Sequence, residues 1–293
     1  VRGTIGWKSL TRLPEKASAF GADPLTRTAL AIAGRSDLAA WLWDLALIVV
    51  KPEALVSGRM AGVRRFLTTH GLSVAASFGA ELDAARSHSL WSYPWVKATT
   101  DRVRLHVMMS EREQSRCLLV RRDEPGGDVP LTTWLAVRKG SSNGRARTPG
   151  QLRTELGMTN RMIAFVHCPD EPADLVRDMY VLGGPSSVEL LFAATTAQDQ
   201  SWASATPARI SLDLPVLLDG LTPWGRDQMR ARLTALRAGD RPVGLDDALE
   251  LVRAWGARGR WSECALAAEL IPHDLPGVTT AFDRLSVEQL ASQ

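Results

Sequence analysis

Cysteine is scarce in this chain of 293 residues, and the three present, Cys117, Cys168 and Cys264, are scattered without C-x-x-C spacing. That excludes a disulfide framework and a zinc site built on cysteines, and it makes a reducing cytoplasm the expected compartment. Long hydrophobic runs are also lacking. No stretch approaches the roughly 18 to 20 apolar residues that span a bilayer, and the chain opens without a basic head followed by an apolar segment, so neither membrane insertion nor secretion is expected. Massed charge of one sign is missing too. The net charge of +3 is dispersed along the chain, so nucleic acid is not the expected partner, although an arginine-rich loop and many tryptophans leave single-stranded nucleic acid as a minor reading. Of the histidines, His70, His88, His106 and His273 show no metal-ligand spacing and read as structural. Repeats and low-complexity tracts are absent. Lysine is sparse beside arginine, which together with the Ala, Leu and Gly bias suggests a GC-rich bacterial genome.

What is present is an ordinary globular composition, 45% hydrophobic and 23% charged, enough for one large domain or two small ones. Residues 1–44 read as an amino-terminal helical extension, with Leu30, Leu38, Trp41, Leu42 and Leu45 on one side. "LALIVV", residues 45–50, is a short buried-strand run that Pro52 stops, and a loop carrying Lys51 follows. Ser57 is the expected cap of a helix closed by Gly71. "LSVAASF" makes a second strand, and helices are expected over 82–90 and 99–109. "RCLLVRR" makes a third strand, and "LTTWLAVRKG" a helix ending near Gly140. The fourth strand, "RMIAFVH", ends in a histidine at a sheet rim, where a ligand can reach the imidazole. Asp170 then caps a helix with Pro172 in its first turn.

Strand, helix, strand, repeated once, predicts an α+β fold: a ferredoxin-like antiparallel sheet with helices on one face, over residues 45–184. Residues 185–293 read as a mainly helical carboxy-terminal subdomain, in which Leu249, Val252 and Trp255 form one apolar face.

Three segments of the middle unit carry a resemblance. "ALIVVKPEALVSGRMAGVRRFLTTHGLSVAAS", "GSSNGRARTPGQLRTELG" and "FVHCPDEPADLVRDMY", in that order and at suitable spacings, resemble the nucleoside diphosphate kinase family over about residues 45–184. The resemblance implies a phosphotransferase that moves the γ-phosphoryl of ATP or another nucleoside triphosphate, with Mg²⁺, through a phosphohistidine to a nucleotide or nucleotide-like acceptor. It places His167 as the nucleophile and Asp178 as the acid that orients it. Lys51, Arg153, Ser142 and Asn143 fall on phosphate-contacting positions, and Arg138 stands in for a further arginine where strict spacing gives Ala136. Asp170 matches the acid that follows the family's histidine. Magnesium is expected to arrive on the nucleotide phosphates rather than on dedicated protein ligands. A homo-oligomer, with a dimer favoured, is the expected assembly.

The chain departs from the family pattern at Ala164, where an asparagine is usual, and at Cys168 and Pro169, where glycine and serine are usual. The base-stacking phenylalanine has no clear counterpart near Asp101 or Val103, while Trp91, Tyr93 and Trp95 offer another platform. These departures point to a specialised acceptor, as in a bacterial biosynthetic pathway. The alternative reading is a catalytically degenerate nucleotide-binding sensor or scaffold module.

Overall fold

The computed structural model describes residues 9–34, 37–111, 113–142, 146–194, 199–203 and 207–280. Three helices come first, α1 (Pro14–Ala22), α2 (Pro24–Ala33) and α3 (Leu38–Trp41). The sequence pattern treated residues 26–45 as one helical stretch, but the structure divides it and gives Leu45 to the first strand. β1 (Leu45–Val50) is buried along its whole length, as an unbroken apolar run in a central strand must be. α4 (Pro52–Val56) and α5 (Met60–Thr69) lead to β2 (Leu72–Glu81), and α6 (Ala84–Trp91) and α7 (Thr100–Ser110) lead to β3 (Gln114–Arg122). α8 (Leu131–Lys139), α9 (Leu152–Glu155), β4 (Val166–His167) and the long α10 (Pro172–Ala193) complete the sheet unit.

The sheet order is β2-β3-β1-β4, and every pairing is antiparallel. Two strand-helix-strand halves interleaved in this order define the ferredoxin-like arrangement. Alternation along the strands builds two cores. Ala46, Ile48, Val50, Leu118 and Val120 face the crossover helices α4, α5, α8 and α9. Leu45, Leu47, Val49, Cys117 and Leu119 face α10 and the amino-terminal helices. The expectation of helices on one face is therefore extended, because both faces are covered. The carboxy-terminal helices α11 (Leu214–Asp219), α12 (Pro223–Arg237), α13 (Leu245–Ala254) and α14 (Arg260–Ala267) join the first core through residues such as Leu217, Met229, Val252, Trp255 and Leu266. No helix among the described residues is long and apolar enough to cross a membrane.

Three local expectations need correction. Residues 161–167 do not form one strand: only Val166 and His167 pair with β1. Phe165 has φ +61, and the Val166 N–H donates to the Ala164 carbonyl across it at 2.6 Å, a γ-turn of the rarer kind. Positive φ costs a bulky residue roughly 1 to 3 kcal/mol, and the surroundings hold it there. The Glu53 carboxylate accepts the Phe165 N–H at 3.2 Å, the Phe165 carbonyl accepts the Lys51 N–H at 2.9 Å, and the ring is fully buried. Secondly, Ser57 does not open a helix: it is the C-cap of α4, and Arg59 precedes α5. The Ser57 hydroxyl donates back to the Glu53 carbonyl at 2.5 Å. Thirdly, α10 is capped by Glu171 rather than Asp170, through a reciprocal capping box with Asp174.

Candidate active site

His167 pairs across from Val49, which pairs in turn with Cys117. Opposite residues of an antiparallel ladder share a face, so the imidazole points to the α10 side of the sheet. Asp178, two helical turns into α10, meets it there. The ring Nε2 lies 2.8 Å from Asp178 Oδ2, and the side chains are 19% and 4% exposed, so the histidine is reachable while its partner is sealed. Arg177 bonds the other oxygen of Asp178 at 3.3 Å, donates to the carbonyls of Ser89 and Leu90, and packs against the rings of Phe20 and Tyr93. The carboxylate is thereby fixed on both sides.

On the opposite edge of the imidazole, Trp91 directs its indole N–H at Nδ1 from 3.4 Å. An indole nitrogen only donates, so Nδ1 accepts and the neutral ring carries its proton on Nε2, toward Asp178. At 3.4 Å the Trp91 bond is weak, leaving the Nδ1 lone pair available for attack. Trp91 also packs against Trp95 and His106.

Two cavities meet at this histidine. The larger, about 460 Å³, is lined by Phe20, Tyr93, Lys16, Asp174, Arg177 and Asp178 among others. The smaller, about 250 Å³, is lined by Lys51, Arg102, Arg161, Trp95 and Ala164 among others. Trp91, Lys139, Ser142, Arg153, His167 and Asp170 belong to both walls. Among the described residues five cationic side chains and one carboxylate, Asp170, line the smaller cavity, so its lumen favours anions.

The anticipated residues divide clearly. Lys51, Arg153, Ser142, His167 and Asp178 are brought to the cavities. Lys51 is buried, ion-paired to Glu53 at 2.7 Å, and lies 5.9 Å over the Trp91 ring. Arg153 is deeply set and spends two nitrogens on backbone, donating to the carbonyls of Gly140 and Val166 at 2.9 Å each, which ties α9 to the end of α8 and to β4. Among the described residues its Nε has no hydrogen-bond partner. Arg138 is not in the site: it is exposed and stacks on Trp134, 5.6 Å from the ring centre. The cation that α8 sends inward is the next residue, Lys139, which donates to the Cys168 carbonyl and to Asp170, each at 3.0 Å. Asn143 lies outside the described residues.

Lys16, brought in by α1, was not anticipated either. It is almost fully buried and pairs with Glu171 and Asp174 at 2.7 Å each. Burial opposes its charge, but the carboxylates of Asp174, Glu171 and Asp170 outweigh burial and raise its pKa. Cys168, beside the histidine, is held inert because burial pushes its thiol up to about 11, against the pull of Lys139 and Arg153. Among the described residues no group of three or more His, Cys, Asp or Glu side chains is placed to hold a metal ion.

No family model matches this sequence, and no curated protein matches it. Solved structures do. The chain is similar to the nucleoside diphosphate kinase of Encephalitozoon cuniculi, at 15% identity over 54% of this chain and 95% of that one, with a TM-score of 0.39. It is similar to the Borrelia burgdorferi enzyme, a transition-state mimic with bound vanadate and ADP, at 16% identity over 48% and 86% of the two chains, with a TM-score of 0.40. The Aquifex aeolicus enzyme gives 18% identity over 47% and 93%, with a TM-score of 0.38. At these values the likeness bears on neither substrate nor catalysis, and the fold stands on the strand order. Over about half its length the chain is similar to nucleoside diphosphate kinases.

Proposed function

We propose that this protein is a phosphotransferase in which His167 carries the phosphoryl group between a nucleoside triphosphate and a nucleotide or nucleotide-like acceptor. The observation that supports this most is the imidazole held between Asp178 at Nε2 and the Trp91 indole N–H at Nδ1, at the junction of two cavities that share Lys139 and Arg153, the smaller of them also lined by Lys51. In the first step the Nδ1 lone pair attacks the γ-phosphorus, the bond from phosphorus to the β,γ-bridging oxygen breaks, and the electron pair leaves with the diphosphate. In the second, an acceptor oxygen attacks the same phosphorus and the P–N bond breaks. Phosphorylated imidazole is positively charged while Nε2 keeps its proton, and the Asp178 carboxylate stabilises that charge.

Phosphoryl transfer gains mostly from alignment and from cations around the spreading negative charge. Lys51 and Lys139 supply two such cations, and Arg153 sets the backbone around them. Magnesium, when bound with the nucleotide, neutralises phosphate charge. The residues suit an ion carried chiefly by phosphate oxygens, because among the described residues Asp170 is the one lining carboxylate of the smaller cavity and is already paired with Lys139. Ala164, and the lack of phenylalanine among the described residues lining the smaller cavity, support a specialised acceptor.

A non-catalytic nucleotide-binding module is the competing reading, favoured by the commitment of Arg153 to backbone carbonyls. Exchange kinetics separate the two. With γ-labelled ATP and unlabelled GDP, a ping-pong enzyme makes labelled GTP and gives parallel double-reciprocal lines; bound nucleotide without exchange would leave the module reading.

A further inference from the structure

Two arginines of the smaller cavity, Arg102 from α7 and Arg161 from the segment before β4, stand outside the sequence motifs. Both are turned on one carboxylate. Arg102 Nη1 donates to Asp274 Oδ1 at 2.5 Å, and Arg161 Nη1 donates to Asp274 Oδ2. Each oxygen of the carboxylate takes one guanidinium, the manner in which paired arginines recognise carboxylate and phosphate.

Asp274 comes from far along the chain. It lies beyond α14 in a strap that crosses the 3-10 turn Pro94–Lys97 and its neighbours. Three hydrogen bonds across to the turn and α7 are among those that hold the strap there. The Thr99 N–H donates to the His273 carbonyl at 3.2 Å, the Leu275 N–H donates to the Lys97 carbonyl at 2.7 Å, and the Thr99 hydroxyl donates to the Pro272 carbonyl at 2.5 Å. Asp274 itself is 30% exposed at the side chain, against 16% and 26% for its arginines. It brings one negative charge to two guanidiniums that share a wall with Lys51, Lys139 and Arg153. A phosphate group brings more charge and a third oxygen to the same pair.

We propose that Arg102 and Arg161 form a phosphate subsite of the smaller cavity, that its ligand is a polyphosphate chain, and that Asp274 is the chain's own stand-in for a phosphate until the ligand displaces it. That the polyphosphate belongs to a nucleoside triphosphate rests on the phosphotransferase reading; the subsite does not. Displacement costs the two Asp274 ion pairs, so removing the Asp274 charge tightens binding, and the strap loosens as ligand enters.

The test is calorimetric titration of the full chain with inorganic tripolyphosphate, paired with amide hydrogen exchange at Leu275. Arg161→Met is expected to weaken binding by roughly tenfold or more, from loss of a charge-assisted hydrogen bond, and Asp274→Asn to tighten it several-fold. Saturating tripolyphosphate is expected to speed exchange at the Leu275 amide, whereas a purely structural Arg-Asp-Arg cluster gives no acceleration. Arg161→Lys, which keeps the charge, serves if the methionine variant fails to fold, and is expected to lose less than Arg161→Met or, in its place, to bind measurably weaker than wild type. Absent binding, an affinity indifferent to Asp274→Asn, or slowed exchange at Leu275 overturns the proposal. Histidine labelling by γ-labelled ATP on the same samples is read separately: if it fails while the tripolyphosphate pattern holds, the phosphotransferase reading falls and the subsite stands.

Discussion

At His167, two neighbours of opposite hydrogen-bonding character fix one ring state: an indole that only donates on one side and a carboxylate that accepts on the other. Asp178→Asn keeps the size and an acceptor oxygen but removes the charge that, in the proposed transfer, stabilises a phosphorylated ring. Label formation per folded molecule is expected to slow by on the order of 10² to 10⁴, the range for losing a group that serves a reacting imidazole, with nucleotide affinity little changed. Rapid-quench labelling beside calorimetry reads both quantities, and an unchanged rate would remove Asp178 from the mechanism. His167, Asp178, Lys51, Arg153 and Ser142 were legible because motif order survives divergence. Arg138 was misplaced by one position on a helix. Adjacent residues of an α-helix point about 100° apart, so a one-residue error exchanges an exposed side chain for Lys139, which lines the site.

Among the elements, the junction of α1 with the start of α10 holds the larger cavity together. Lys16 brings a buried positive charge to Glu171 and Asp174, and these two residues form the capping box of α10. Lys16→Met keeps most of the volume and takes the ammonium from two carboxylates that keep neutral donors such as the Thr11 hydroxyl and the Glu171 N–H. The expected cost is about 3 to 5 kcal/mol, as when one partner of a buried ion pair is removed. Urea unfolding monitored by tryptophan fluorescence measures it, and a loss below about 1 kcal/mol would show that water reaches the pair. Nothing in the sequence marked Lys16, because a lone lysine in a helical stretch is ordinarily a solvated charge. The truncated β4 was equally hidden. A γ-turn centred on phenylalanine carries no glycine or proline to announce it, and Arg161 to His167 reads as an apolar strand until Glu53 and Lys51 are seen holding the Phe165 backbone. β1, β3 and α8 were legible because continuous apolar runs bounded by turn residues leave few alternatives.

For the molecule as a whole, acid sensitivity follows from histidines buried neutral. Burial, reinforced by the charges of Lys51 and Arg102, holds His106 well below 6.5, and burial lowers His273 as well. Below about pH 6.5 the unfolded rings take up protons that the folded ones refuse. This contribution to stability is therefore complete above that pH and is lost as pH falls, by up to about 1.4 kcal/mol per pH unit for each ring. Asp174 is pushed upward by burial and works in the opposite sense, so a comparison with His106→Gln isolates the ring. Thermal unfolding from pH 7.5 to 5 is expected to show a steeper decline in the wild type than in that variant, and equal slopes would refute the assignment. Both extensions were read as helical from sequence, but not their packing, α2 against α10 and α13 and α14 against α7, since such packing leaves no local signature. The central claim, that His167 carries the phosphoryl group, is tested most directly by incubating the protein and His167→Ala with γ-labelled ATP and Mg²⁺. Acid-labile, alkali-stable label on the wild type alone is the predicted result; no label on a protein that binds ATP, or equal label on His167→Ala, would contradict it.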